Sequence, residues 1–144
     1  MSGNENELSF VDTNIFLYAY DNSRPAKQNI ASHLVKELWI NRSGCLSVQV
    51  LQELYVNLTR KIITPLSVSD AKQIVRDLTL WKCFVPNGLS IIGAIEIQER
   101  YQISFWDAMI VYSAKSLHCK VLWSEDLGHN QNYFGLTVYN PFKK

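Results

Sequence analysis

Short apolar runs alternate along the chain with longer stretches in which apolar residues recur every three or four positions. Short uninterrupted runs are typical of buried strands, and the longer spacing is typical of amphipathic helices. The short runs predict strands at residues 8–11, 45–48, 83–85, 120–123 and 136–139. The helical spacing predicts helices at residues 15–20, 25–40, 48–61, 71–81, 91–101 and 105–117.

Short apolar strands separated by helices indicate an α/β fold. We expect a short parallel sheet of about five strands, flanked on both faces by helices. The chain has 144 residues, 47% of them hydrophobic, and its prolines and glycines are scattered rather than gathered into a linker. A single domain over residues 1–144 is therefore predicted. Its polar, acidic start at residues 1–7 is expected to be flexible.

The charge balance excludes binding to nucleic acid by bulk charge, because 14 Lys and Arg residues face 13 Asp and Glu residues. Any contact with phosphate must be local. The chain lacks a signal-like start and an apolar stretch of roughly 18 residues, so we expect a cytoplasmic protein that does not enter membranes. The three cysteines have no CxxC spacing, and neither a disulfide nor a structural zinc is expected.

Two acidic residues follow predicted strands. Asp12 comes directly after residues 8–11, and Asp126 follows residues 120–123. Binding sites of open parallel sheets form beyond the carboxyl ends of the strands, where such side chains can meet. A simple helix N-cap is the alternative role for Asp12.

Asp107 is the only charged residue in the apolar run 105–112. Apolar residues around the whole circumference of this predicted helix indicate that it is largely buried. A carboxylate among Phe105 and Trp106 would then need a cation or a metal as partner. The alternative is a first-turn Asp after a cap at Ser104, where the helix dipole favours an anion.

Carboxylates without a His or Cys ligand pattern suit a hard cation such as Mg²⁺ or Mn²⁺. Such an ion lowers the pKa of a bound water and stabilises the in-line transition state of phosphate ester hydrolysis. The three histidines, at positions 33, 118 and 129, form no ligand pattern. Glu53 lies opposite the apolar face of its helix, in one row with Gln49 and Asn57, and by itself indicates only a solvated face.

Five segments, in this order and spacing, resemble a PIN domain of the VapC toxin type. They are FVDTN at 10–14, QEL at 52–54, FWDAMI at 105–110, LWSEDL at 122–127 and NPF at 140–142. The resemblance covers nearly the whole chain. It implies four acids that act in catalysis and bind the metal, which are Asp12, Glu53, Asp107 and Asp126.

The neighbours of these acids are candidates for supporting the metal ligands: Thr13, Asn14, Ser124 and Glu125. Glu125 also competes with Asp126 for the fourth ligand position, and the place of the family's last acid favours Asp126. The chain departs from the pattern at Asn130, where relatives often carry Gly before the Gln. Asn also tolerates positive φ, so we expect the turn to be retained.

The resemblance further implies an endoribonuclease that uses Mg²⁺ or Mn²⁺ and hydrolyses single-stranded or loop RNA. It implies the toxin of a type II toxin–antitoxin pair, with a VapB-like antitoxin as partner and a homodimer as its oligomeric state. RNA would need local cations. The candidates are Arg60, Lys61, Lys72 and Arg76, for which a solvated helix face is the alternative.

Two other functions compete with the ribonuclease. A receiver-like phospho-acceptor domain requires a second acid beside Asp12, where this chain has Thr13. A PIN-like domain that binds RNA or protein without cleavage is opposed by the four acids. Divalent-dependent cleavage of RNA separates the ribonuclease from both.

Overall fold

The computed structural model describes residues 7–143, so the flexibility expected for residues 1–7 falls, apart from Glu7, outside the described part. The strands are β1 (Ser9–Val11), β2 (Gly44–Ser47), β3 (Lys82–Phe84), β4 (Val121–Trp123), β5 (Asn132–Tyr133) and β6 (Leu136–Tyr139). The helices are α1 (Thr13–Tyr20), α2 (Pro25–Asn41), α3 (Val48–Arg60), α4 (Val68–Leu78), α5 (Gly88–Tyr101) and α6 (Phe105–Ser116).

The sheet has the strand order β3-β2-β1-β4-β6-β5. All neighbouring strands pair in parallel except β5, which is antiparallel to β6. Helix α1 packs against α2 and α3, α3 packs against α4, and α5 packs against α6. The predicted α/β fold, a short and mostly parallel sheet flanked by helices, is confirmed.

The sheet contains one strand more than the sequence predicts in the described residues. The two-residue β5 joins β6 through a tight turn, in which Phe134 has φ 55° and Gly135 has φ 91°. Two positive φ values in succession match the twist of a two-residue hairpin. A strand of two residues has no measurable periodicity, so the apolar pattern cannot reveal it.

The end of α4 and the start of α5 differ from the prediction because of local contacts. α4 ends at Leu78 rather than 81, because Trp81 leaves the helix and packs against Phe16, with ring centroids 5.4 Å apart. α5 begins three residues earlier than predicted. There Asn87 and Ser90 form a reciprocal capping box that stabilises the extra turn.

The core lies where the central strands meet the helices. Phe10, Leu46 and Leu122, from three neighbouring strands, are fully buried. Asp12 and Ser124 directly follow the carboxyl ends of β1 and β4.

Three further features follow from the described residues. Cys45, Cys83 and Cys119 are free thiols. Asn130 takes φ 68°, as expected, and its N–H donates to the carbonyl of Val138 at 2.8 Å. Between residues 7 and 143, no helix combines the length and the apolar character needed to span a membrane.

Candidate active site

The pairing of β1 with β4 places Asp12 beside Ser124. Val11 is in register with Trp123, and the N–H of Asp12 donates to the carbonyl of Trp123 at 3.0 Å. The Ser124 hydroxyl then donates to Oδ2 of Asp12 at 2.8 Å. Asp12 is only 6% exposed and Ser124 is fully buried, so this carboxyl has a fixed position at the junction of the two strands.

Asp12, Thr13 and Asn14 each contact a different element. Oδ1 of Asp12 accepts the N–H of Thr13 at 2.8 Å, which caps α1. The Thr13 hydroxyl donates to Oε1 of Glu53 on α3 at 2.8 Å. The Asn14 amide donates to Oδ2 of Asp126 at 2.9 Å. The alternative role of Asp12 as an N-cap is therefore correct and coexists with its place in the acidic site.

Asp107 reaches the same region from the first turn of α6. Its N–H donates to the hydroxyl of Ser104 at 3.1 Å, so the predicted cap is present. The expectation that this helix is buried around its circumference is wrong for its first turn. Asp107 is half-buried, and Trp106 is 61% exposed, because the first turn emerges from the core while Ala108 and the residues after it enter it.

The four predicted acids line one cavity of about 240 Å³. They come from the end of β1, from α3, from α6 and from the loop after β4. The cavity is completed by Thr13, Asn14, Leu17, Gln49, Asn57, Trp106 and Ile110. No Lys, Arg or His is among these lining residues, so the cavity is negatively charged with no resident cation.

Glu125 points away from this cavity. Its Oε1 accepts a hydrogen bond from the hydroxyl of Tyr18 at 2.7 Å, and its other oxygen pairs with Lys27. Burial alone would raise the pKa of the Glu125 carboxyl, but the hydrogen bonds from Lys27 and Tyr18 lower it. Of the two adjacent acids, Asp126 faces the other carboxylates, and Glu125 anchors its loop to α1 and α2.

The predicted cationic residues lie outside the cavity. Arg60 and Lys61 are exposed at the end of α3, and Lys72 and Arg76 are exposed on α4. Contacts with RNA at these positions would be made beyond the acidic cavity, along the surface of α3 and α4. Their role stays a prediction.

Burial and mutual repulsion weaken the acidity of two carboxyls. Burial raises the pKa of Asp12 from 3.8 to about 7; hydrogen bonds from Ser124 and Thr13 oppose this shift, and Glu53 and Asp126 add to it. Burial also raises the pKa of Asp107, against a hydrogen bond from Ser104 and together with the charge of Asp126. Burial is the main cause of both shifts and the neighbouring carboxylates add to it, so a cation bound here would favour the ionised form of both carboxyls.

The donor set fits a hard divalent ion, since every polar atom offered by the acids and by Thr13 is oxygen. Over residues 7–143, no three carboxylate, imidazole or thiol side chains stand close enough to hold one ion together. Hydrogen bonds hold Glu53 and Asp126 to Thr13 and Asn14 instead. Mg²⁺ binds through one or two carboxylates and retains several waters, so the arrangement remains compatible with it.

Sequence reasoning did not assign Gln49, Asn57 and Trp106 to the site. Gln49 and Asn57 flank Glu53 at four-residue spacing on α3, and both line the cavity. That spacing was the available signal for the two amides. Trp106 had no such signal, because an apolar residue in an apolar run predicts burial.

The shift of Asp12 predicts a pH dependence of stability in metal-free protein. Between about pH 4 and pH 7 the folded chain holds a proton on Asp12 that the unfolded chain releases. The free energy of unfolding should therefore fall as pH rises through this window, by up to about 4 kcal/mol. Asp12→Asn should remove this fall and be more stable than wild type at neutral pH.

Urea unfolding in EDTA at about pH 5 and about pH 8 measures this effect. Asp12→Asn retains every other titrating group and therefore serves as the reference for their contribution. An equal pH dependence in the two proteins would show that Asp12 titrates normally.

Comparison with solved structures identifies proteins of the same fold. A toxin–antitoxin complex from Klebsiella pneumoniae has a TM-score of 0.70 at 14% identity, covering 94% of this chain and 99% of that chain. The toxin VapC20 of Mycobacterium tuberculosis, described as cleaving the sarcin–ricin loop, has a TM-score of 0.62 at 19% identity, over 82% and 89% of the two chains. DNA-bound VapBC of Salmonella typhimurium has a TM-score of 0.65 at 18% identity, over 94% and 98%.

No curated protein matches the chain at a significant level. The sequence model of the PIN domain matches residues 9–135, a stretch that includes all four cavity acids. The match spans most of the chain and agrees with the resemblance of the five sequence segments. The chain therefore belongs to the PIN domain family.

Proposed function

We propose that this protein is a Mg²⁺- or Mn²⁺-dependent endoribonuclease of the VapC toxin type. The observation that carries the proposal is the convergence of Asp12, Glu53, Asp107 and Asp126 on one cavity. These residues are far apart in sequence, and grouping their charges destabilises the chain when no cation is present. A protein that keeps such a group gains from it only when a positive ligand binds there.

One or two of the four carboxylates would hold the cation directly and the others would bind its waters, and the surrounding donors fix Asp12. The hydroxyl of Ser124 and the N–H of Thr13 occupy one oxygen each of Asp12. This fixes the direction of the carboxylate without engaging every lone pair. When bound, Mg²⁺ would supply activation of water and stabilisation of the charge that develops on phosphorus.

Glu53 and Asp126 are held more loosely, because each receives a single side-chain hydrogen bond, from Thr13 and Asn14 respectively. Both donors are neutral, so they orient the carboxylates without cancelling their charge. A small rotation would release either carboxylate towards a cation. The acids thus supply the charge, and Thr13 and Asn14 set how far apart the carboxylates stand.

RNA is the substrate that this site and its relatives support best. A phosphodiester brings negative charge to a negative cavity, so its binding depends on the cation and on basic residues outside. The exposed pairs Arg60 with Lys61 and Lys72 with Arg76 would serve the RNA backbone. The described cleavage of the sarcin–ricin loop by VapC20 supports an RNA loop as the target.

A VapB-like antitoxin is the expected partner, since similar structures are toxin–antitoxin complexes. A cationic side chain of such a partner could neutralise the cavity in place of the metal and so silence it. We propose a homodimer as the state of the toxin, following the family resemblance. A PIN-like domain without catalysis is disfavoured, because mere binding of RNA gains nothing from four grouped carboxylates.

The two adjacent acids after β4 should differ in their effect on RNA cleavage. Asp126→Asn, like Asp12→Asn and Asp107→Asn, should slow RNA cleavage by about a hundredfold or more, because each removes a charge from the cavity. Glu125→Gln should cost less than about tenfold, since its side chain faces Tyr18 and Lys27 instead.

Rates are measured on a labelled single-stranded RNA, with circular dichroism as the control for folding. The proposal requires the three Asn variants to stay folded while losing activity. Wild-type cleavage by folded Asp107→Asn would contradict it.

Metal removal and the chemical ends of the RNA products test the proposed reaction. Activity should vanish in EDTA and return with Mg²⁺ or Mn²⁺. Because no His lines the cavity, attack by the RNA's own 2′-hydroxyl has no imidazole pair to assist it. Water should therefore attack phosphorus, leaving 5′-phosphate and 3′-hydroxyl ends.

Mass spectrometry of the fragments reads these ends directly. Fragments with a 2′,3′-cyclic phosphate, or full cleavage in EDTA, would refute the mechanism. Buffer incubated with RNA and metal alone is the control for background hydrolysis.

A further inference from the structure

Trp106 is an exposed aromatic residue at the mouth of the acidic cavity. It directly precedes Asp107, is 61% exposed, and is the only aromatic among the residues that line the cavity. Exposed indole surface is unfavourable in water unless a ligand covers it. Its position beside the carboxylates indicates a ligand whose flat, apolar part lies next to a phosphate.

Neighbouring residues hold Trp106 in place. Its ring meets that of Phe105 edge to face, with centroids 5.0 Å apart and planes at 77°. The amide of Gln49 donates to the carbonyl oxygen of Trp106 at 3.4 Å, which ties the start of α6 to α3. A held ring loses little freedom when another ring stacks on it.

The polar groups beside Trp106 are amides. Oε1 of Gln49 is buried and has no hydrogen-bond partner in residues 7–143. An unpaired buried acceptor is unfavourable until a donor reaches it. Asn57 lies two turns further along the same row of α3, also in the cavity. Amides next to an aromatic ring are suited to hydrogen-bonding the edges of a nucleobase.

We propose that Trp106 is the stacking platform for one unpaired nucleobase, with Gln49 beside it to contact the base or its sugar and Asn57 further along the same cavity to contact the neighbouring nucleotide. This inference rests on the proposed function, because it takes the carboxylate cavity as the place where the RNA backbone is cut. A base within a duplex already has both faces stacked and cannot cover the indole. The substrate is then RNA whose nucleotide next to the cleaved bond is single-stranded or flipped out.

The row of α3 side chains that includes these amides also indicates the path of the bound RNA strand. Gln49, Glu53 and Asn57 follow one another at four-residue spacing, and Lys61 is the next position of the row. A strand whose base stacks on Trp106 can pass its phosphates along α3 towards this exposed cation. Arg60 and Lys61 are thereby assigned to the RNA backbone on the Asn57 side of the cavity.

The test measures the affinity of a short, fluorescently labelled, single-stranded oligoribonucleotide by anisotropy. The Asp126→Asn background with Mg²⁺ present supplies the cation on which binding depends while cleavage is slow, and a gel verifies that the RNA stays intact. Trp106→Leu, which keeps apolar bulk but removes the ring, should weaken binding about tenfold or more. Trp106→Phe should retain most of the affinity, within about threefold. Phe134→Leu, which alters an exposed aromatic outside the cavity, should leave binding unchanged.

Oligonucleotides with a single abasic position, tested against both wild-type Trp106 and Trp106→Leu, form a double-mutant cycle between the base and the indole. One such position should weaken binding to Trp106-containing protein about tenfold and cause no further loss in Trp106→Leu, because the stacking partner is already gone. Equal abasic penalties in both proteins, or unchanged RNA affinity of Trp106→Leu, would overturn the proposal. Loss of an antitoxin complex with unchanged RNA affinity would assign the indole to protein docking instead.

The outcomes separate this inference from the proposed function. If the wild-type chain cleaves RNA while Trp106→Leu binds RNA equally well, only the stacking platform is wrong. If the abasic cycle shows stacking but the wild-type chain never cleaves RNA with either metal, the nuclease is wrong and the platform stands. Absence of any RNA binding by the chain would overturn both.

Discussion

The acidic site depends on hydrogen bonds that start from three consecutive residues at the end of the central strand β1. Asp12 pairs with Ser124, Thr13 with Glu53, and Asn14 with Asp126. Two of these bonds lead to the loop after β4 and one leads to α3, so one short segment sets the relative position of three carboxylates. The parallel pairing of β1 with β4 makes this possible, because it brings two strand ends to the same edge of the sheet.

Burying a carboxyl in this arrangement, next to other carboxylates, destabilises the folded chain, and the rest of the fold must offset this cost. The burial of Asp12 raises its pKa to about 7, which means that the folded chain holds the ionised carboxyl only at a cost in stability. The apolar core around Phe10 and Leu122 provides the opposing stabilisation. Such local instability beside a stable core is common where a protein must bind a ligand of opposite charge.

Much of this structure could be read from the sequence, since strands and helices of ordinary length show their periodicity. The acids at strand ends were predictable for the same reason. The choice between the adjacent acids Glu125 and Asp126 was harder to make from the sequence. The contacts of Glu125 with Tyr18 and Lys27 show that it is not the one that faces the cavity. The exposure of Trp106 was unpredictable, because tertiary packing alone decides where an apolar helix leaves the core.

The central proposal is that the acidic cavity binds a divalent cation. Mn²⁺ binding tests this proposal without reference to catalysis. It is detected by electron paramagnetic resonance as the loss of the free-ion signal. The wild-type chain and Glu125→Gln should bind Mn²⁺ alike, with an affinity that falls below about pH 7 as a proton competes at Asp12. Asp12→Asn should bind it far more weakly, whereas equal binding by Asp12→Asn and wild type, or none by wild type, would contradict the account.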